Sequence, residues 1–207
     1  MMRGFIFAFM FALAACQAGT SDHDAKAEEL AKLERWVKEA NEKQAALTAP
    51  ATDAQRETFG PLADLPGQRF RGVPTDGSSE RQDDFQQWQW ALGGAAILIR
   101  HALADGSYGG DTYVYKDSES ENLVYVYITN AGFRTEGVIS INEDGSFAAE
   151  EDVAGHPSIK KVRSTSTFGD DGKIYMTSEY LDGGNWVTGH SFTYEQTLQD
   201  LPALIAK

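Results

Sequence analysis

The chain carries four histidines, His23, His101, His156 and His190. Only His101 and His190 fall in segments that alternate like strands. Two imidazoles facing each other across a barrel could ligate a metal or haem; each could equally be a core histidine held by hydrogen bonds. Glu151 shares its parity with Phe147, Ala149 and Val153, which predicts a carboxylate pointing into the same interior. Such a group needs a partner, and Arg100, His101 and Arg163 are the candidates. The carboxylate would either orient the polar head of a ligand or pin strand register. Gly189-His190-Ser191-Phe192-Thr193 nearly spells the G-x-S-x-G elbow, but it ends in Thr and lies within a predicted strand rather than at a strand-to-helix turn. There is no HExxH, no Walker A loop and no GxGxxG opening a helix. The acidic turns, such as Asp117/Glu119/Glu121 and Asp170/Asp171, lack the EF-hand spacing and read as solvated turn residues. No catalytic or metal-ligating set is assigned.

The single cysteine, Cys16, offers a different chemistry. A lone thiol excludes internal disulfides and Cys-based zinc or iron–sulfur sites. Residues 1–15 hold one charge, Arg3, and an apolar run from Phe5 to Ala15. The run is too short for a bilayer span, which needs about 20 apolar residues, and fits a secretory signal. It ends in Leu13-Ala14-Ala15-Cys16. That ending resembles the lipobox of bacterial lipoproteins, a resemblance that implies cleavage before Cys16 and acyl chains on it. Two or three chains hold a protein on a membrane where one is marginal. Gln17 and Ala18 follow, not Asp, which by the sorting habit of that family implies the outer membrane, facing the periplasm.

The net charge is −13, and −14 once Arg3 leaves with residues 1–15. Nucleic acid is excluded as a partner, since neutralising its backbone needs clustered Lys and Arg. Residues 16–21 form the lipidated N-terminus. Residues 22–49 read as a helical stalk: Leu30, Leu33, Val37, Ala40, Gln44 and Leu47 make one narrow stripe, which suits a two-helix seam, and so a helix-mediated protein partner, or a lone charged stalk. Packing on its own barrel is the competing reading. Glu28/Lys32, Glu34/Lys38 and Glu39/Lys43 are i,i+4 pairs of the favourable polarity. Residues 50–66, with three prolines, read as linker.

The elements that must position His101, Glu151 and His190 are strands. Ten are predicted, at 67–72, 84–92, 95–104, 111–117, 122–130, 133–141, 146–153, 159–169, 172–181 and 185–195. They are rich in Val, Ile, Thr and aromatics and cut by turns such as Asp105-Gly106 and Asp170-Asp171-Gly172. No long helical pattern interrupts them, so the expected fold is all-β: an up-and-down antiparallel barrel over residues 67–196, with a two-sheet sandwich as the competing solution. Residues 197–207 form a C-terminal tail, expected to cap one barrel end. Alternation leaves the register open, because Leu98, Val124, Val126 and Ile128 are apolar on the parity opposite to the aromatic set. Turning the large rings inward is favoured, since they are costly to expose.

Trp88 to Gly94, Arg100-His101, Asp105 to Asp111, Tyr127 to Phe133, Glu150 to Gly155 and Gly189 to Tyr194 together resemble the bacterial DUF1579-type family of lipocalin-like (calycin) β-barrels, over about residues 60–196. The resemblance implies a barrel able to hold a small hydrophobic ligand, and no established reaction. Related calycin barrels include haem binders, so haem is the alternative cofactor, although no haem-ligand motif matches residue by residue. The expected ligand lining is Trp88, Trp90, Tyr113, Tyr125, Tyr127, Trp186 and Phe192, with Arg100, His101, Glu151 and His190 as polar contacts. The expected function is a membrane-anchored periplasmic barrel binding a small hydrophobic or amphipathic ligand. The alternative is a non-enzymatic accessory envelope lipoprotein with a filled core.

Overall fold

A computed structural model describes residues 20–77 and 81–206; Cys16 and the signal segment lie outside them. Ten strands, β1 (Arg69–Pro74), β2 (Asp84–Ala91), β3 (Ala96–Leu103), β4 (Gly109–Lys116), β5 (Leu123–Thr129), β6 (Arg134–Ile141), β7 (Phe147–Ala154), β8 (Ile159–Phe168), β9 (Ile174–Asp182) and β10 (Asn185–Gln196), follow one another in the chain. Each pairs antiparallel with the next, and β1 closes on β10, giving an up-and-down barrel without free edges. Full closure decides against the sandwich.

A helix, α1 (Thr20–Leu47), precedes this unit and covers residues 22–47 of the predicted stalk, 22–49. Its Leu30, Leu33, Trp36 and Val37 are exposed. Lys32 pairs with Glu28 at 2.7 Å, whereas Lys38 lies 3.9 Å from Glu42 rather than beside Glu34. Such exposed pairs contribute little.

Residues 50–66 are not a linker. They fold into α2 (Asp53–Phe59) and a short 3-10 helix, Gly60–Asp64. A capping box starts α2: the Thr52 side chain accepts from the Gln55 N–H, and the Gln55 side chain accepts from the Thr52 N–H at 2.8 Å. Pro61 opens the 3-10 helix, where a missing N–H costs nothing. Phe59, Leu62 and Ala63 are all but fully buried, and Phe59 meets Trp90 edge to face at 5.7 Å. Burying Phe59 or Leu62 contributes about 1.5–3 kcal/mol each, enough to hold this segment as a plug in the barrel end formed by the β2–β3, β4–β5, β6–β7 and β8–β9 turns. Gln55 fastens the plug to that rim through a hydrogen bond to the Gly94 carbonyl.

The tail does not cap an end. It starts beside the plug, where the Thr197 N–H donates to the Arg69 carbonyl and Asp200 pairs with Arg69. It finishes at the opposite end, where the Ile205 N–H donates to the Gly106 carbonyl. The path between crosses the outside of β2 and β3, where outward-parity Gln89, Leu98 and Ala102 are buried. Gly109 has no room for a Cβ because Leu204 and the β3 backbone lie against it.

Candidate functional site

Side chains of β2 to β10, with Leu62, enclose a cavity of about 610 Å³, within the range of small-molecule sites. Its lining is sorted along the barrel axis. Toward the plug it is mostly apolar: Leu62, Trp88, Val114, Phe147, Ile174 and Met176, with Ser166 level with Phe147 and Met176. Toward the other end it is mostly polar: Asp84, His101, Tyr108, Tyr127, Tyr180 and His190, with Leu103 and Val162 among them. Arg81 also lines it while remaining exposed, which marks the end where the cavity reaches solvent.

The polar groups form three clusters. In the first, Asp84 is 4 % exposed. Its Oδ1 lies 2.7 Å from His101 Nδ1, while Oδ2 accepts from the Tyr194 hydroxyl at 2.8 Å and the Gln86 amide at 3.3 Å. His101 Nε2 meets the Tyr127 hydroxyl, which lies 2.9 Å from the Tyr108 hydroxyl. A chain of polar atoms thus runs from a buried carboxylate to two phenols on the cavity wall. Both nitrogens of His101 are engaged, so ligation of a metal or haem iron would break this chain.

The register explains how the first cluster assembles. Gly72 of β1 stands between Tyr194 of β10 and Asp84 of β2. A Cβ on Gly72 would collide with the Tyr194 ring, so the glycine is the space through which the phenol reaches Asp84.

The second cluster has the same register. Gly137 of β6 stands between Tyr125 of β5 and Glu151 of β7. The Thr135 hydroxyl donates to Glu151 Oε2, and the Tyr125 hydroxyl hydrogen-bonds the same carboxyl group. Burial raises the Glu151 carboxyl above its ordinary range, against the lowering effect of these two hydroxyls. Arg100, His101 and Arg163 are not its partners. Arg100 faces outward, exposed, beside Asp111, and Arg163 pairs outside the barrel with Glu179 at 2.6 Å.

The third cluster joins the Tyr180 hydroxyl to His190 Nδ1, with the Ser178 hydroxyl accepting from the His190 N–H at 2.9 Å and donating to the His190 carbonyl at 3.0 Å. Burial, with the nearby Arg81 charge, holds the His190 imidazole down at about 4. Arg81 is itself paired with Asp76. Burial also pushes the phenols of Tyr108, Tyr127 and Tyr180 up, Tyr108 to about 12, so these hydroxyls keep their protons for hydrogen bonding. Among the described residues no buried side-chain nitrogen or oxygen lacks a partner.

Of the residues expected to line a ligand site, Trp88, His101, Tyr125, Tyr127, Glu151, His190 and Phe192 do so. Trp90 points inward but is spent on the plug: it packs on Phe59 and donates from Nε1 to the Ala49 carbonyl at 2.9 Å. Arg100, Tyr113 and Trp186 face outward. Tyr113 pairs with outward Leu98 and Val126, while its neighbours Thr112 and Val114 take the interior positions. Trp186 shares the sequence parity of His190, but the register of β10 against β9 shifts between Thr188 and Ser191. The bulge turns Trp186 out under the Arg163 guanidinium, 4.3 Å above its ring, and leaves His190 in. Sequence reasoning missed Asp84, Tyr108 and Tyr180. Asp84 stands at the first position of the predicted strand 84–92, and Tyr108 lies in the β3–β4 turn rather than on a strand. Tyr180 was legible: it shares the parity of Ile174, Met176 and Ser178 along β9. No family model matches the chain, and a comparison with curated proteins found no match.

Proposed function

We propose that this protein is a carrier: a lipocalin-like barrel that holds one small amphipathic molecule, apolar part toward the plug and polar part among the phenols. The observation that carries the reading is the sorted lining of the 610 Å³ cavity. A barrel built only for stability would fill that space, because a void forfeits packing. The hydrogen bonds that lock Asp84, His101 and Tyr127 favour a preorganised polar contact over a catalytic group free to exchange protons. The DUF1579-type resemblance and the lipobox extend the reading: a calycin-like lipoprotein held in the outer membrane by acyl chains on Cys16, facing the periplasm. Haem is the alternative guest.

Uptake of N-phenyl-1-naphthylamine by the purified barrel, with mass spectrometry of an organic extract, tests the carrier. One probe per chain, lost in Val114→Trp where the indole fills the cavity, is expected; no uptake and no co-purified molecule would overturn it. A Soret band on haem titration would favour haem instead. Labelling with radioactive palmitate, abolished by Cys16→Ser, tests the anchor. The exposed apolar residues of α1 support the accessory-protein alternative; loss of partner capture on deleting residues 22–49, with the barrel intact and no ligand bound, would favour it.

A further inference from the structure

The two carboxylates facing the cavity are not equivalent. Asp84 has an imidazole against it. Glu151 has only hydroxyl partners, and among the described residues no Lys, Arg or His pairs with it. The nearest lysine on the paired strand, Lys161, points outward to Glu150 and Asp152. Arg81, among the described residues the only Lys or Arg on the cavity lining, is already held by Asp76. Around Glu151 stand the phenols of Tyr108, Tyr125, Tyr127 and Tyr180, each raised first by burial and further by the Glu151 charge.

An ionised carboxylate in such a place lacks its counter-charge, and a guest cation would supply it. Aromatic faces attract the same cation through their quadrupoles. An anionic guest would meet Glu151 and Asp84 together, at a Coulombic cost. On the carrier reading, we infer that the guest is an amphipathic amine, its ammonium seated on Glu151 among the tyrosines and its apolar part lying toward Leu62, Val114, Phe147 and Ile174.

Displacement of N-phenyl-1-naphthylamine by decylamine, 1-decanol and decanoate at pH 8 tests it. Decylamine is expected to bind about tenfold or more tighter than decanol, as one charge-assisted contact allows, and decanoate most weakly. Glu151→Gln, which keeps the shape and the hydrogen bonds to Thr135 and Tyr125, brings decylamine to the level of decanol. In the wild-type protein, lowering the pH weakens decylamine alone, because the carboxyl raised by burial takes up its proton. That series decides the matter even where the variant fails to fold. Equal affinity for decylamine and decanol, insensitive to pH, would overturn the amine and leave the carrier standing. Failure of the probe and all three competitors to bind would overturn both.

Discussion

Across β10, β1 and β2, Tyr194 leans over Gly72 to reach Asp84; across β5, β6 and β7, Tyr125 and Glu151 flank Gly137. The central strands, β1 and β6, are five places apart in a ring of ten, so the two triplets face each other across the cavity. A glycine stands between phenol and carboxyl group in each, but the Tyr194 ring fills the space of a Cβ only at Gly72; at Gly137 the β7 backbone at Glu150 and Glu151 fills it. The triplets also differ in what else touches the acid. Asp84 is saturated by His101, Tyr194 and Gln86, and binds one side of the barrel together. Glu151 has hydroxyls alone. Register and glycine create a place for a buried acid; the further partners decide whether it is structural or left for a ligand.

The largest test removes the saturated acid. Asp84→Ala strands the donors of His101, Tyr194 and Gln86 and should cost about 3–5 kcal/mol in urea unfolding. A loss under about 1 kcal/mol would mean that this network does not brace the barrel.

Next comes the third cluster, read through pH. The unfolded chain takes up the His190 proton near 6.5, whereas the folded chain waits until about 4. The unfolded state therefore binds more protons in that window, and stability falls as the pH drops from 6.5 to 4, then levels off. The difference in stability between wild type and His190→Gln should swing toward the variant by up to about 3 kcal/mol across that window. A pH-independent difference would show an imidazole that titrates normally.

Glu151→Gln should act with the opposite sign to Asp84→Ala. The folded carboxyl holds its proton to a higher pH than the unfolded one, so stability falls as pH rises through the raised value. At pH 8 the amide should match or exceed wild-type stability within about 1 kcal/mol; at pH 4 the two should coincide. A loss as large as that of Asp84→Ala would make the two walls alike.

Trp186→Ala should have the smallest effect, about 0.5–1 kcal/mol from the lost stacking with Arg163, with probe affinity unchanged. A fall in affinity would place the indole on the ligand wall after all.

Much of the barrel was legible. Strand starts and stops follow turn residues closely: the predicted 84–92 and 185–195 differ from β2 and β10 by one residue at one end. Inward parity was also legible where it runs unbroken, as at Ile97, Ile99 and His101, or Phe147, Ala149 and Glu151. It failed at Trp186, because a bulge between Thr188 and Ser191, at Gly189, exchanges faces. It failed at Tyr113 because both parities of β4 carry side chains that can be buried. The plug was misread for a simpler reason: Pro50, Pro61 and Pro66 looked like linker, although Thr52-x-x-Gln55 announces a capped helix.

By itself, the amino-acid sequence determined ten strands, their antiparallel order and the stock of phenols, acids and imidazoles, because period-2 alternation and turn chemistry are local. Only the tertiary structure decided that the sheet closes, that residues 53–64 fill one end, and that the tail runs along the wall. It also decided which acid meets a histidine. Asp84 and His101 lie 17 positions apart, and Tyr194 joins them from 110 positions away. Such a meeting depends on strand register and on glycine gaps in neighbouring strands, which no local pattern encodes.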